Sequence, residues 1–445
     1  MPSPILTRRI APEHARIIGA MLTVGIFIAM AKGVGAVKEM VVAAHFGTGR
    51  AVDAFSFLFS LVSWPAAAWT AAASSILVPL LVRLDRQDSA AGELFRQEML
   101  AVCLLPAAAV GIFSYGIIRW GLGAGVFGLT GPVSEAARDM LWLVCLCAPV
   151  MMVVGVLSAY LMAGRRHTNS LFEAVMPAVT GAVVFAAAGA PLWSLPLGTL
   201  LGYTSQALLS IVAQPKEAGR LIPRFSLTSP SWTAFWSAFL VLIASQLILS
   251  MANVVDQTMA ARLGPSSNAT LAYSNRLMSL LLALGATVIS RATLPVFSGA
   301  GPPGRAWAMA RQWGAALFAL GLAIAAISWV AAPLAIKVLF QRGAFTHEDV
   351  VAVVRVFRFS VLQTPFYFSS VVIAQFVAST GMFRIFLYGN ILNIAVKIGL
   401  NALLIPRFGL QGAMLSTAAM QLVSLIFLWV VSARVQARLK AGQGA

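Results

Sequence analysis

The stretch "GIFIAMAKGVGAVKEMVVAAHFG" (residues 25–47) decides how the chain is read. Its apolar run extends back to about residue 16, long enough to cross a hydrocarbon core of about 30 Å. Yet it holds Lys32, Lys38 and Glu39. Lys32 lies about 24 Å of helix rise from the start of that run, so neither end is within easy reach of a snorkelling ammonium. A charge at the bilayer centre costs roughly 2.5–3.5 kcal/mol on insertion scales, and such groups normally face a bundle interior or a wet cavity. Lys32 and Glu39 are seven residues apart and share a helical face. By the 3.6-residue period Lys38 points about 120° away from them.

The rest of the chain repeats this apolar character. It has 445 residues, is 60% hydrophobic and 10% charged, and has a mean hydropathy of +0.87. A soluble protein would carry about 25% charged residues. Twelve apolar runs fall at about 16–43, 54–82, 98–120, 138–163, 171–189, 193–213, 233–262, 268–298, 310–333, 350–380, 383–405 and 409–433. They predict an all-α polytopic membrane protein of about twelve transmembrane helices. A transmembrane barrel would instead show roughly ten-residue alternating segments. The N-terminal run is too long for the core of a cleavable signal and is read as the first span, retained.

The formal net charge of +17 sits mostly in short loops, so a bilayer accounts for it before nucleic acid does, and no nucleic-acid partner is expected. With the N-terminus inside, the external segments hold about half as many Lys and Arg as the internal ones. This predicts both termini in the cytoplasm. Cys103, Cys145 and Cys147 fall in apolar runs and imply no disulfide framework. The four histidines show no metal-ligand spacing, and no metal site or cofactor is expected.

An internal repeat divides the chain. "VKEMVVAAHFG" (37–47) lies over "VVDQTMAARLG" (254–264), matching Glu39 with Asp256 and Gly47 with Gly264. At nearly the same offset "IRWGLGAGVFG" (118–128) lies over "IKVLFQRGAFT" (336–346), matching Gly125 with Gly343 and Phe127 with Phe345. Six helices separate the copies. The expected plan is two pseudo-symmetric six-helix lobes, 1–213 and 233–445, joined by a cytoplasmic linker over 214–232, with a site between the lobes.

Four basic residues are not explained by loops or span ends: Lys32, Lys38, Arg276 and Lys397. Lys38, Glu39, Asp53, Asp256 and Arg276 share the outer half of the predicted bilayer, with Lys32 deeper. A cavity between lobes with this cationic lining prefers an anionic guest; Arg suits phosphate by bidentate bonding and Lys as a point charge. Asp53 also fits a helix cap at the start of the second span. Glu173, beside the basic "GRRHTNS", reads as an ordinary span-end charge. Asp256 and Lys397 lie at similar depth, with Asn393 one turn from Lys397, so a buried Asp256–Lys397 pair is expected where another transporter holds a metal cation.

Three blocks carry a family resemblance. "VVAAHFGTGRAVDAFSFLFSLVSWP" with "SSILVPLL" resembles the first block of the MurJ (MviN) lipid II flippase family. "LAYSNRLMSLLLALGATVISRATLPVFS" (271–298) is similar to its eighth-helix block, and "VLFQRGAFTHEDV" (338–350) to its outer-loop signature. The resemblance implies the MOP exporter fold in a bacterial inner membrane, and inner-to-outer leaflet movement of an undecaprenyl-pyrophosphate-linked glycan by alternating access. It implies no chemistry, coupling to membrane potential, H+ or Na+, and cell-envelope biosynthesis proteins as partners. By position Lys32, Lys38 and Arg276 look similar to the family's basic cavity residues, and Glu39 and Asp53 to its acidic positions. Asp256 and Asn393 look similar to a cation site of relatives, with Lys397 in place of an acidic ligand. The chain departs from the pattern: no basic residue stands in "SWPAAAWTAAASS", Ser279 replaces an acidic residue, and two C-terminal helices that form a lipid-tail groove are absent from the sequence. These departures leave room for a lipid II-like precursor or an exopolysaccharide unit as cargo.

The other classes fare worse. A cation-coupled, MATE-like exporter of small molecules from the same superfamily favours acidic cavity residues. A phosphotransfer enzyme needs clustered carboxylates for magnesium, and the 14 acidic residues are scattered. No Gly-x-Ser-x-Gly, His-Glu-x-x-His or phosphate-binding Gly-rich Lys motif occurs. A non-transporting scaffold has no use for buried charge.

Overall fold

The computed structural model describes residues 30–164, 169–187, 189, 191–214, 221–298, 303–379 and 384–442. The start of the first span and part of the linker lie outside the described residues. The first half comprises α1 (30–46), α2 (Arg50–Gln87), α3 (Ser89–Gly123), α4 (Gly131–Ala163), the short α5 (Asn169–Phe172), α6 (Val175–Ala186) and α7 (Ser194–Val212). The second comprises α8 (Ser231–Ala261), α9 (Ser267–Ser298), α10 (Pro303–Phe340), α11 (His347–Ser360), α12 (Thr364–Ser379), α13 (Arg384–Phe408) and α14 (Leu410–Gly442). Among the described residues the chain is all-helical, and nine of its helical segments are long and apolar enough to cross a membrane. The described part of α1, the shorter α6 and the Arg-bearing α9 occupy the positions of the remaining three predicted spans.

The tenth predicted span is broken. A 3₁₀ turn at Val361–Gln363 separates α11 from α12. Pro365, which has no N–H to give to a continuous helix, stands just after it. α11 starts on a capping box: Thr346 accepts from the Asp349 N–H, and the Asp349 carboxylate accepts from the Thr346 N–H.

α2 is the hub. It packs on α3 and α4 of its own half and on α8 and α9 of the other. Its "AAAWTAAASS" run supplies the reason: Ala66, Ala68, Ala72 and Ala73 are buried, and Thr70 lies over Gly155 of α4. Small side chains let helix backbones approach and gain van der Waals contact, the main source of helix association where lipid is as apolar as the protein. The missing basic residue in this run thus corresponds to a packed helix–helix contact.

The repeat survives in the backbone. Its paired glycines, Gly47 with Gly264 and Gly125 with Gly343, all have positive φ. Gly47 and Gly343 also sit where the two halves touch: a side chain on Gly343 would strike the Ala44 carbonyl, and one on Gly47 the Ala344 carbonyl. Glycine alone meets both demands.

One buried carboxylate fastens the segment between the halves. Glu98, fully buried near the start of α3, accepts hydrogen bonds from Ser226 Oγ (2.5 Å), Thr228 N (2.9 Å), Thr228 Oγ1 (2.8 Å), Ser229 N (3.2 Å) and Trp232 Nε1 (2.6 Å). The Arg224 N–H donates to the Gln97 carbonyl at 3.1 Å. Aromatic rings extend the anchor into α8: Phe95 meets Trp232 at 5.0 Å, and Phe239 meets Trp69 of α2 at 5.0 Å. Glu98→Ala strands these donors, and hydrogen bonds to a charged group are worth roughly 1.5–3 kcal/mol each. Release of the segment is then expected to raise the rate of tryptic cleavage after Arg224 by about tenfold or more, read by gel against the unsubstituted protein.

Candidate functional site

The two halves meet tightly at the end that carries the α1–α2, α8–α9 and α10–α11 connections. Ala344 N–H donates to the Ala44 carbonyl at 2.7 Å, and Tyr273 OH to the Gly47 carbonyl at 3.0 Å. Thr48 donates to the Asp349 carboxylate. Tyr273 is itself packed between Phe340 and Phe345, at 5.1 and 5.2 Å. Asp53 belongs to this seal. Its carboxylate accepts the Ala269 N–H at 2.9 Å, from the first turn of α9. The expected cap at the start of the second span is corrected here: α2 is preceded by Gly49 without a side-chain bond, and Asp53, within the first turn of α2, caps a helix of the other half. The start of α9 carries unpaired N–H groups and positive dipole, so a carboxylate is stabilised there. Asp53 is 1% exposed and does not line the charged pocket.

That pocket has a volume of 240 Å³. Lys32, Lys38 and Glu39 of α1, Glu173 before α6, and Arg276 of α9 all line it. Glu39 is the centre of the cluster. Its Oε1 lies 2.5 Å from Lys38 Nζ, and Arg276 donates to its Oε2. The expected 120° divergence of Lys38 is corrected: the long side chain swings back beside its neighbour, so all three charges of α1 reach one space. A carboxylate between two partly buried cations holds both in place, since opposite charge within hydrogen-bond distance offsets part of their burial cost. Because α1 and α9 belong to different halves, the Glu39–Arg276 pair also bridges them. Glu173, exposed just before α6 as a span-end charge would be, also lines this pocket with Lys32. Sequence distance hid that proximity, since the two are 141 positions apart. The cluster holds three cations and two carboxylates, a net positive lining.

Arg276 stands in the wall of a second pocket of 250 Å³ between α2, α8 and α9, where the other polar lining groups are neutral. Arg276 thus borders both spaces.

Asp256 and Lys397 lie elsewhere, within the second half. Lys397 Nζ is 2.9 Å from Asp256 Oδ1, and the side chain is 1% exposed. The ammonium also donates to the Ala413 carbonyl at 3.0 Å and to Thr417 Oγ1, so its three donors are all used. Asn401 Nδ2 donates to Asp256 Oδ1 at 2.8 Å. Asn401, one turn after Lys397, carries no charge to mark it in the sequence; its i, i+4 spacing from Lys397 is the signal that finds it. Asn393, one turn before, turns instead to Ser424 Oγ at 3.3 Å. Among the described residues no cluster of His, Cys, Asp and Glu has the makings of a metal site.

Known proteins resemble this chain in sequence and fold. A probable lipid II flippase MurJ of Synechocystis sp. is 25% identical over 93% of this chain and 81% of its own. Among solved structures, the inward closed conformation of a lipid II flippase MurJ is 16% identical, with a TM-score of 0.75 over 92% of this chain and 87% of that one. An inward-facing multidrug resistance MATE family transporter of the MOP superfamily, also 16% identical, has a TM-score of 0.74 over 93% and 95%. At that identity the structural likeness establishes the fold, which is that of the MOP superfamily. The family profile described as "Lipid II flippase MurJ" matches residues 42–443, and on that extent the chain belongs to the MurJ lipid II flippase family.

Proposed function

We propose that the chain carries an undecaprenyl-pyrophosphate-linked glycan from the inner to the outer leaflet, and that its headgroup phosphates bind in the pocket of Lys32, Lys38 and Arg276. The observation behind this reading is the convergence of three cations, from both halves, on one lined space. Glu39 acts as the resident anion. It holds Lys38 and Arg276, and a pyrophosphate, carrying more charge and more acceptor oxygens, competes for both cations. Taking Arg276 from Glu39 removes an ion pair between the halves, so cargo binding and the relative movement of the halves are linked through the same atoms. The seal at Ala44–Ala344, Thr48–Asp349 and Asp53–Ala269 is placed at the outer side by the Lys and Arg bias of the loops, with both termini in the cytoplasm. Closed there, the pocket receives cargo from within.

Glu39 and Asp53 have separate parts on this account: Glu39 in cargo exchange, Asp53 in the outer seal. Lys397 and Asp256 support the second half as a satisfied pair. The net positive lining disfavours the cation-coupled drug exporter, whose cationic cargo it repels.

The test is leaflet translocation of a fluorescent polyprenyl-pyrophosphate-linked disaccharide in vesicles reconstituted with the full chain. Protein-dependent translocation is expected. Translocation at the protein-free rate, together with uptake of a cationic dye, would favour the exporter reading instead.

A further inference from the structure

The neutral pocket beside Arg276 has unusual buried polarity. Gln257 of α8 is 3% exposed and Ser56 of α2 is 6% exposed, and both line the space. Gln257 Oε1 and Ser56 Oγ are buried without a hydrogen-bond partner among the described residues. A buried polar atom left unpaired costs about 1–3 kcal/mol, so each such atom asks for a partner that arrives with a ligand or water. Asn253 and Asn275 add amide groups to the same wall, and the partly buried Phe59 adds a ring. Amides and hydroxyls offer donors and acceptors without charge, which matches a ring of sugar hydroxyls and acetamido groups; an aromatic face covers the ring's C–H surface. The 250 Å³ volume is below the usual 300–1,000 Å³ of drug-sized pockets and suits one ring rather than an oligosaccharide.

We infer that this pocket is a sugar subsite, holding the monosaccharide directly attached to the phosphate that Arg276 and the α1 lysines bind. The inference rests on the phosphate reading above and deepens it. Arg276 borders both spaces, so it marks the join between phosphate and sugar. The headgroup then lies with its anionic part against α1 and α6 and its first ring between α2 and α8. Because α2 and α8 belong to different halves, the ring bridges them, as Arg276 does.

The experiment compares two probes on the full chain in nanodiscs: farnesyl pyrophosphate, and the same lipid carrying one N-acetylglucosamine. The unsubstituted protein is expected to bind the sugar-bearing probe about tenfold more tightly, the equivalent of one or two buried hydrogen bonds. In Gln257→Met, and separately in the smaller change Ser56→Ala, the ratio between the probes should fall toward one. A ratio near one in the unsubstituted protein, with the bare probe still bound, overturns the subsite and leaves the phosphate reading standing. A tenfold ratio that persists in both variants overturns the assignment to these residues. Failure of both probes to bind the unsubstituted protein overturns the phosphate reading and the subsite with it.

Discussion

Arg276→Ala is expected to abolish rescue of a strain depleted of its own flippase, at unchanged protein level. Arg276 is the member of the cluster that comes from the second half, and it borders both pockets. Truncating one partner of a buried, hydrogen-bonded charge pair costs roughly 2–5 kcal/mol, and this part-buried pair belongs at the low end, about thirtyfold in affinity. Here the loss strikes twice, because the cargo loses its guanidinium and Glu39 loses its partner from α9. Lys38→Ala should follow closely, since Lys38 shares Glu39 with Arg276. Lys32→Ala should be milder; Lys32 lines the pocket from an exposed position. Arg276→Lys keeps the charge and loses the planar fork, so partial rescue is expected. Full rescue by Arg276→Ala would remove the proposed role of the pocket.

Lys397→Ala is expected to destabilise the protein by roughly 3–5 kcal/mol, the usual cost of leaving one partner of a buried pair uncompensated. Among the described residues Asp256 keeps only the Asn401 bond in that variant. Asp256→Ala should cost a similar amount, because among the described residues the ammonium is then held by a carbonyl and a hydroxyl alone. The double variant should be no worse than either single one, since both charges are gone and no buried ion remains. Thermal unfolding in detergent, run as a double-mutant cycle, measures the coupling. Strictly additive losses would show that the pair contributes nothing as a pair.

Much of this was legible in the sequence. Apolar run length gave the helices, because in a bilayer a span must satisfy its own backbone and be apolar along its length. The repeat was legible because Gly47, Gly125, Gly264 and Gly343 all hold a positive φ, which side chains rarely adopt. Lys32, Lys38, Arg276 and Lys397 stood out because charge is costly in lipid. What the sequence withheld was pairing across long separations. Asp53 read as a local cap and proved to cap α9, more than 200 positions away. Glu173 sits at a span end, and nothing in the sequence showed that α1 lies beside it. Helical period put Lys38 on another face, since it describes the Cβ direction and ignores the reach of a four-carbon stem. Gln257 and Ser56 carried no signal at all; a neutral polar residue in an apolar helix draws notice only once its lack of a partner is seen.

On the proposed function, cations from both halves bind one phosphate headgroup for transfer between leaflets. Its most direct test is the translocation rate of a polyprenyl-pyrophosphate-linked glycan in vesicles holding equal amounts of folded protein, unsubstituted or with Lys32, Lys38 and Arg276 all changed to glutamine. The triple variant is expected to fall to the protein-free rate. A triple variant that translocates as fast as the unsubstituted chain would mean that these cations do not carry the headgroup.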